Sequence, residues 1–168
     1  FITKATAQLM RDFGCVQSPI NAYMLNLGLE SLHVRMARHC ENGQAVAEFL
    51  ASHPKIAYVN YCGLPGDKYH AVAEKYLPNG SCGVVSFGVK GGREAAAAFM
   101  GHLKIAAIET HVADARTCCL HPASSTHRQM NDEQLIAAGV QPDLVRMSCG
   151  LEDKNDLIHD IAQALDQI

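Results

Sequence analysis

An α/β protein, with long helices first and a small antiparallel or mixed sheet with helices on one face after them, is what this sequence predicts. Three observations carry that expectation. Leu25, Leu29, Leu32, Met36, Val46 and Leu50 hold a single apolar stripe at helical spacing through the first third of the chain. From Lys55 onward the texture changes to short runs of strand-forming residues separated by turn signals, among them Ile56 to Tyr61, Gly83 to Val89 and Leu144 to Cys149. The chain then closes on a strong 3.6-residue stripe, Leu157, Ile158, Ile161, Leu165 and Ile168. Such a layering of sheet against helices is an α+β arrangement.

The elements follow in order. Thr3 to Phe13 reads as a helix (Ala7, Leu9, Met10, Phe13) stopped by Gly14, a residue suited to the position after a helix. Ser18-Pro19 starts another, with serine as N-cap and proline at the first helical position. Its stripe runs on to Ser52, a span of about 50 Å at 1.5 Å per residue, with Gly28 and Asn42-Gly43 as the places to bend or break. Arg35, Arg38 and His39 fall on what should be its solvated face. The resulting domain division is residues 1–45, a helical edge and linking helix, and residues 46–168, the α+β part.

Beyond Lys55, Ile56 to Tyr61 is a strand, Cys62 to Gly66 a turn, and Asp67 to Tyr76 a helix. Gly83 to Val89 sets Val85, Phe87 and Val89 against the lighter Val84, Ser86 and Gly88, the pattern of a half-buried strand. Gly91-Gly92 turns into a helix from Glu94 to Leu103 and lacks the spacing of a phosphate loop. Ile105 to Ile108 and Thr117 to Leu120 are two further strands; Asn131-Asp132 opens a helix to Ala138 that Gly139 stops; Glu152-Asp153 caps the last helix.

Bulk properties remove several functions. A formal charge of −3 and no basic cluster give no reason to expect nucleic acid. No apolar run approaches the roughly 18 residues of a membrane helix. Seven cysteines, an odd number without a signal peptide, predict reduced thiols and a cytoplasmic compartment. Cys118-Cys119 would point to opposite faces of a strand, and with no Cys-x-x-Cys or His-x-x-x-His pair, ligand spacing predicts no metal site. Phe1-Ile-Thr-Lys has no initiator methionine, so the chain is expected to be a piece of a larger protein.

The chemistry concentrates between Asp114 and Asp153. Arg146 stands in the middle of an apolar strand, and a guanidinium cannot shed its charge, so an anion must meet it, whether an internal acid or a ligand carboxylate held by two points. The second wall is the turn His121-Pro-Ala-Ser-Ser-Thr-His127, dense in hydroxyls. Turn hydroxyls often bond their own backbone, so Ser124, Ser125 and Thr126 either line a ligand entrance or stabilise the turn.

These same residues carry a resemblance. His121-Pro-Ala-Ser-Ser-Thr-His127 and Val145-Arg-Met-Ser-Cys-Gly-Leu-Glu-Asp153, with Ser18-Pro-Ile-Asn-Ala, Gly28 to His39 and Tyr61-Cys-Gly-Leu-Pro65 in register upstream, resemble the C-terminal part of the pyridoxal-phosphate (PLP) enzymes of cysteine and methionine metabolism. That family includes cystathionine γ-synthase, cystathionine lyases, methionine γ-lyase and O-acetylhomoserine sulfhydrylase. Val112-Ala-Asp-Ala-Arg116 and Ser86-Phe-Gly-Val-Lys-Gly-Gly92 are most similar to the last of these.

The resemblance implies a fold-type I PLP transferase whose C-terminal domain this is, with Arg146 holding the substrate α-carboxylate. Thr117 stands where many relatives carry a serine near the cofactor and its lysine, and the resemblance implies it as a substrate-binding residue beside Arg146. It implies γ-replacement on O-acetylhomoserine by sulfide or a thiol to give homocysteine or a relative, and a homo-oligomer built as a dimer of dimers. Catalytic residues, the Schiff-base lysine among them, are expected outside this chain, which should be inactive alone. Lys4, followed by an amphipathic helix and not by a Gly-rich segment, does not fit that role. Since the lysine performs the proton transfers, His121 and His127 are expected to be structural, and the cysteines apolar fillers. Other branches of the family, or a non-enzymatic amino-acid-binding domain using Arg146, remain alternatives.

Overall fold

The computed structural model describes residues 1–168. Contacts divide the chain into two units, Phe1–Val34 and Arg35–Ile168.

In the first unit the opening helix is present but not uniform. α1 (Ile2–Lys4) passes through a π-helical stretch, Ala5–Met10, into α2 (Arg11–Phe13), and Gly14 ends it in the left-handed region at φ 65°. Ser18 caps α3 (Pro19–Glu30) as expected, its Oγ accepting from the backbone N–H of Asn21 at 3.2 Å. The break in the long helical pattern comes at Ser31 (φ −102°, ψ 3°), not at Gly28 or Asn42-Gly43. Leu25, Leu29 and Leu32 are exposed, so the front half of the stripe is not core in this chain.

The sheet of the second unit comprises β1 (Ile56–Asn60), β2 (Val84–Val89), β3 (Ala107–Ile108), β4 (Cys118–Leu120) and β5 (Leu144–Ser148) in the order β1-β2-β5-β4-β3. All neighbours are antiparallel except β3 and β4, so the sheet is mixed, as expected. Alternation decides what each face holds. Val85, Phe87, Val145, Met147 and Cys119 are fully buried with residues of α4 (Leu32–Ser52), α6 (Gly92–His102) and α8 (Lys154–Asp166). Phe87 meets Phe99 of α6 edge-on, with ring centroids 5.8 Å apart. The other face carries Ser86, Arg146 and Leu120 side by side, because the register pairs Ser86 with Arg146 and Arg146 with Leu120.

Two expectations about α4 are overturned by packing. Asn42-Gly43 is buried inside the helix: Asn42 Nδ2 donates to the Gly150 and Glu152 carbonyls at 2.9 and 2.8 Å. A Cβ on Gly43 would lie 2.5 Å from the Cys82 carbonyl oxygen, so this glycine serves a close approach and not a break. His39 is likewise not solvated; it is 2% exposed and bonds the Cys149 carbonyl through Nδ1 at 2.7 Å. His39, Asn42 and Gly43 are built into the second unit, and the contact units divide between Val34 and Arg35.

The remaining helices, α5 (His70–Tyr76) and α7 (Asp132–Ala137), lie where the pattern puts them, the latter with a capping box between Asn131 and Gln134 and a stop at Gly139, φ 80°. Asp153 alone caps α8, accepting from Asn155 at 2.8 Å. Glu152, expected to share that task, turns inward instead.

Candidate functional site

Arg146 reaches the open face because it occupies an odd position on a strand whose even neighbours, Val145 and Met147, are committed to the core. It is half-buried and forms no ion pair; its Nη2 donates to the Thr110 carbonyl oxygen at 2.8 Å. That single neutral contact leaves most of the guanidinium's donors without a protein acceptor. The side chain lines a cavity of about 490 Å³ together with Ser86, Thr110, Leu120, Thr126 and His127.

Thus the two walls expected from sequence do meet. The bend is held shut by His121, 2% exposed. Its Nε2–H donates to the Pro142 carbonyl oxygen, which can only accept, at 2.8 Å, and its Nδ1 is bonded to Ser124 Oγ at 2.9 Å. The His121 imidazole therefore ties the turn to the residues leading into β5, a structural role as expected. Ser125 spends its hydroxyl on the His121 carbonyl at 2.6 Å. Of the bend, Pro122, Thr126 and His127 line the cavity, the last two bonded to each other at 2.9 Å.

Thr117 is placed differently from the expectation that paired it with Arg146 as a substrate contact. It is fully buried and does not line the cavity. Its Oγ1 donates to Glu152 Oε2 at 2.8 Å and accepts from the Gly150 N–H at 2.8 Å, while its own N–H donates to Glu152 Oε1 at 2.6 Å. The hydroxyl has no proton left for a ligand, so in this chain Thr117 locks β4 to the segment after β5. Sequence reading missed Glu152 in this role because nothing in its spacing distinguishes it from the cap residue next to it.

The cysteines are free. Burial pushes the thiol of Cys149 up to about 12 and that of Cys119 higher still, so both stay protonated and behave as small apolar fillers. Cys118 points the other way along β4 and joins Glu109, His111 and Asp114, a group of potential ligands that short-range spacing does not reveal. Lys4 is exposed at the end of α1.

Residues 2–166 match the family model described as Cys/Met metabolism PLP-dependent enzyme. The chain belongs to that family. Among curated relatives of this PLP-dependent family, an O-acetyl-L-homoserine sulfhydrylase of Leptospira meyeri is 45% identical over 100% of the chain, and a homocysteine synthase of Schizosaccharomyces pombe 43% identical over 95%. The chain spans 38% and 37% of their lengths. A solved Campylobacter jejuni chain, described as an O-acetylhomoserine (thiol)-lyase and carrying N′-pyridoxyl-lysine-5′-monophosphate, superposes with a TM-score of 0.88 at 37% identity, covering 97% of this chain and 39% of its own.

The residues at the cavity agree with part of what a PLP family requires. They present a cation with no acidic partner beside the hydroxyls of Ser86, Thr110 and Thr126, and no lysine lines the cavity. No helix is long and apolar enough to cross a bilayer.

Proposed function

We propose that this chain is the carboxylate-binding part of a PLP-dependent enzyme that joins O-acetylhomoserine and sulfide, or a thiol, to form homocysteine or a relative. The observation that carries the reading is Arg146: a guanidinium with no acidic partner, on the rim of a cavity whose other wall is the Pro122–His127 bend. A planar fork binds a carboxylate at two points and so fixes its orientation as well as its position. Gripping the α-carboxylate there would set the direction of the Cα–H bond, and the closed His121–Pro142 tie keeps the opposite wall from retreating. Pyridoxal phosphate, when bound, supplies the electron sink for breaking that bond. The amine that anchors it, and the groups that move protons, are assigned to residues beyond this chain. The relatives named above support the choice of O-acetylhomoserine, and the family resemblance supports a cytoplasmic dimer of dimers.

The test is Arg146→Ala and Arg146→Lys in the full-length protein. The alanine variant should lose about 10- to 150-fold in kcat/KM for O-acetylhomoserine, the equivalent of ~1.5–3 kcal/mol for a charge-assisted contact, with the cofactor's visible absorbance unchanged. Lysine should restore little, because it offers a point charge without the fork. Wild-type kcat/KM in the alanine variant would rule out the assignment.

A further inference from the structure

We propose that Glu109, His111, Asp114 and Cys118 form a binding site for a divalent cation of the zinc class, on the loop that precedes β4. Their four donor atoms lie within 4.8 Å of one another. Three of the separations approach those of a formed shell. His111 Nδ1 is 3.0 Å from Glu109 Oε2 and 3.4 Å from Asp114 Oδ2, and Cys118 Sγ is 3.7 Å from Glu109 Oε2. A tetrahedral ion with ligands at about 2.0–2.3 Å spaces them about 3.3–3.8 Å apart, so the donors need only small rotations to close on one. Nitrogen, sulfur and carboxylate oxygen together are a borderline set that suits zinc better than calcium or magnesium, which take oxygen ligands.

The orientation of both carboxylates is fixed from behind by one residue. Arg116 Nη2 donates to Glu109 Oε1 at 3.0 Å, and the Arg116 backbone N–H donates to Asp114 Oδ1 at 3.0 Å. Each acid therefore has its outer oxygen held and its inner oxygen turned toward His111, as outer-sphere partners orient ligands in metal sites. Cys118 is 1% exposed and pinned in the ladder opposite Ser148; the same serine's Oγ accepts from the Ala113 N–H at 2.9 Å, tying the loop to the strand. The side chain of His111 is the exposed member, at 60%.

When a divalent ion binds, the Cys118 S–H bond breaks, the sulfur–metal bond forms, and the proton leaves to solvent.

The site also bears on Arg146. Thr110, whose carbonyl accepts from the guanidinium, lies between two of the ligands, so closing the loop on an ion would fix that acceptor. This second step rests on the carboxylate-binding role proposed above; cation binding itself does not.

Zinc titration of the purified protein against a competing chelator tests the site. We expect one zinc per chain, with affinity falling at least about 100-fold in His111→Ala, more than the loss of an outer-sphere partner costs. Cys62→Ser should leave affinity unchanged. Cobalt in place of zinc should give a thiolate-to-cobalt charge-transfer band that Cys118→Ser abolishes, and His111→Ala, at an exposed position, covers the case in which Cys118→Ser does not fold. Equal zinc affinity in wild type and His111→Ala, or a charge-transfer band that survives Cys118→Ser but not Cys62→Ser, would overturn the proposal. If zinc binds as stated and the KM for O-acetylhomoserine does not respond to it, the link to Arg146 fails and the site stands.

Discussion

Gly43 shows how a single hydrogen atom decides the packing of α4. In an exposed helix, exchanging glycine for alanine gains up to ~1 kcal/mol from backbone entropy. Here the added carbon would stand 2.5 Å from the Cys82 carbonyl oxygen and 3.1 Å from the Gly83 Cα, both backbone atoms that cannot swing aside. Overpacking of this kind costs ~1–3 kcal/mol, so it outweighs the propensity gain. Gly43→Ala should lower the unfolding free energy by a net of up to ~2 kcal/mol, read as a lower urea midpoint, whereas Gly28→Ala, with nothing within 4 Å, should raise the midpoint or leave it unchanged. The same scale explains what sequence could disclose about the site. Arg146 was legible because a permanent charge in an apolar strand contradicts its surroundings. Thr117 was not, because the partner that consumes its hydroxyl, Glu152, is distant in sequence and looks like an ordinary helix cap.

Between residue and fold, β3 illustrates an element cut short by one side chain. The run Ile105 to Ile108 has the composition of a four-residue strand, yet only Ala107–Ile108 pairs. Asp160 of α8, 4% exposed, takes the backbone N–H groups of Lys104, Ile105 and Ala106 at 2.8, 2.9 and 3.0 Å. A carboxylate with three donors is satisfied in place, and it fastens α8 to the start of β3 more firmly than a further ladder bond would. Asp160→Ala takes the acceptor from all three N–H groups at once and leaves the Ala106 amide buried without a partner. We expect a loss of ~2–4 kcal/mol in unfolding free energy, with accelerated amide exchange at residues 104–106 as the local signature. Short-range periodicity placed the core strands correctly, since Val85, Phe87, Val145 and Met147 face the interior as alternation requires. It failed at α3 and α4 for a physical reason: a stripe reports that a face wants burial, not where its helix ends, and the interruption at Ser31 carries no glycine or proline to mark it.

At the scale of the whole chain, burial is distributed unequally between the two contact units. No residue of Phe1–Val34 is buried, and Ile20, Tyr23, Met24, Leu25 and Leu29 are all more than half exposed. Every fully buried side chain belongs to Arg35–Ile168, beginning with Asn42, Val46 and Ala47. The Arg146 cavity and the Glu109–Cys118 cluster draw on that second unit alone. Deleting residues 1–31 should therefore leave the core intact, with the thermal midpoint within a few degrees of the parent chain, because at roughly 4 °C or less per kcal/mol for a domain of this size only a lost core contact would move it further. Residues 1–34 as a peptide should show little helicity by circular dichroism, since α3 at 12 residues sits at the length below which isolated helices are marginal in water. A truncated chain that unfolds ten degrees or more below its parent would mean that the first unit contributes stability its exposed side chains give no account of.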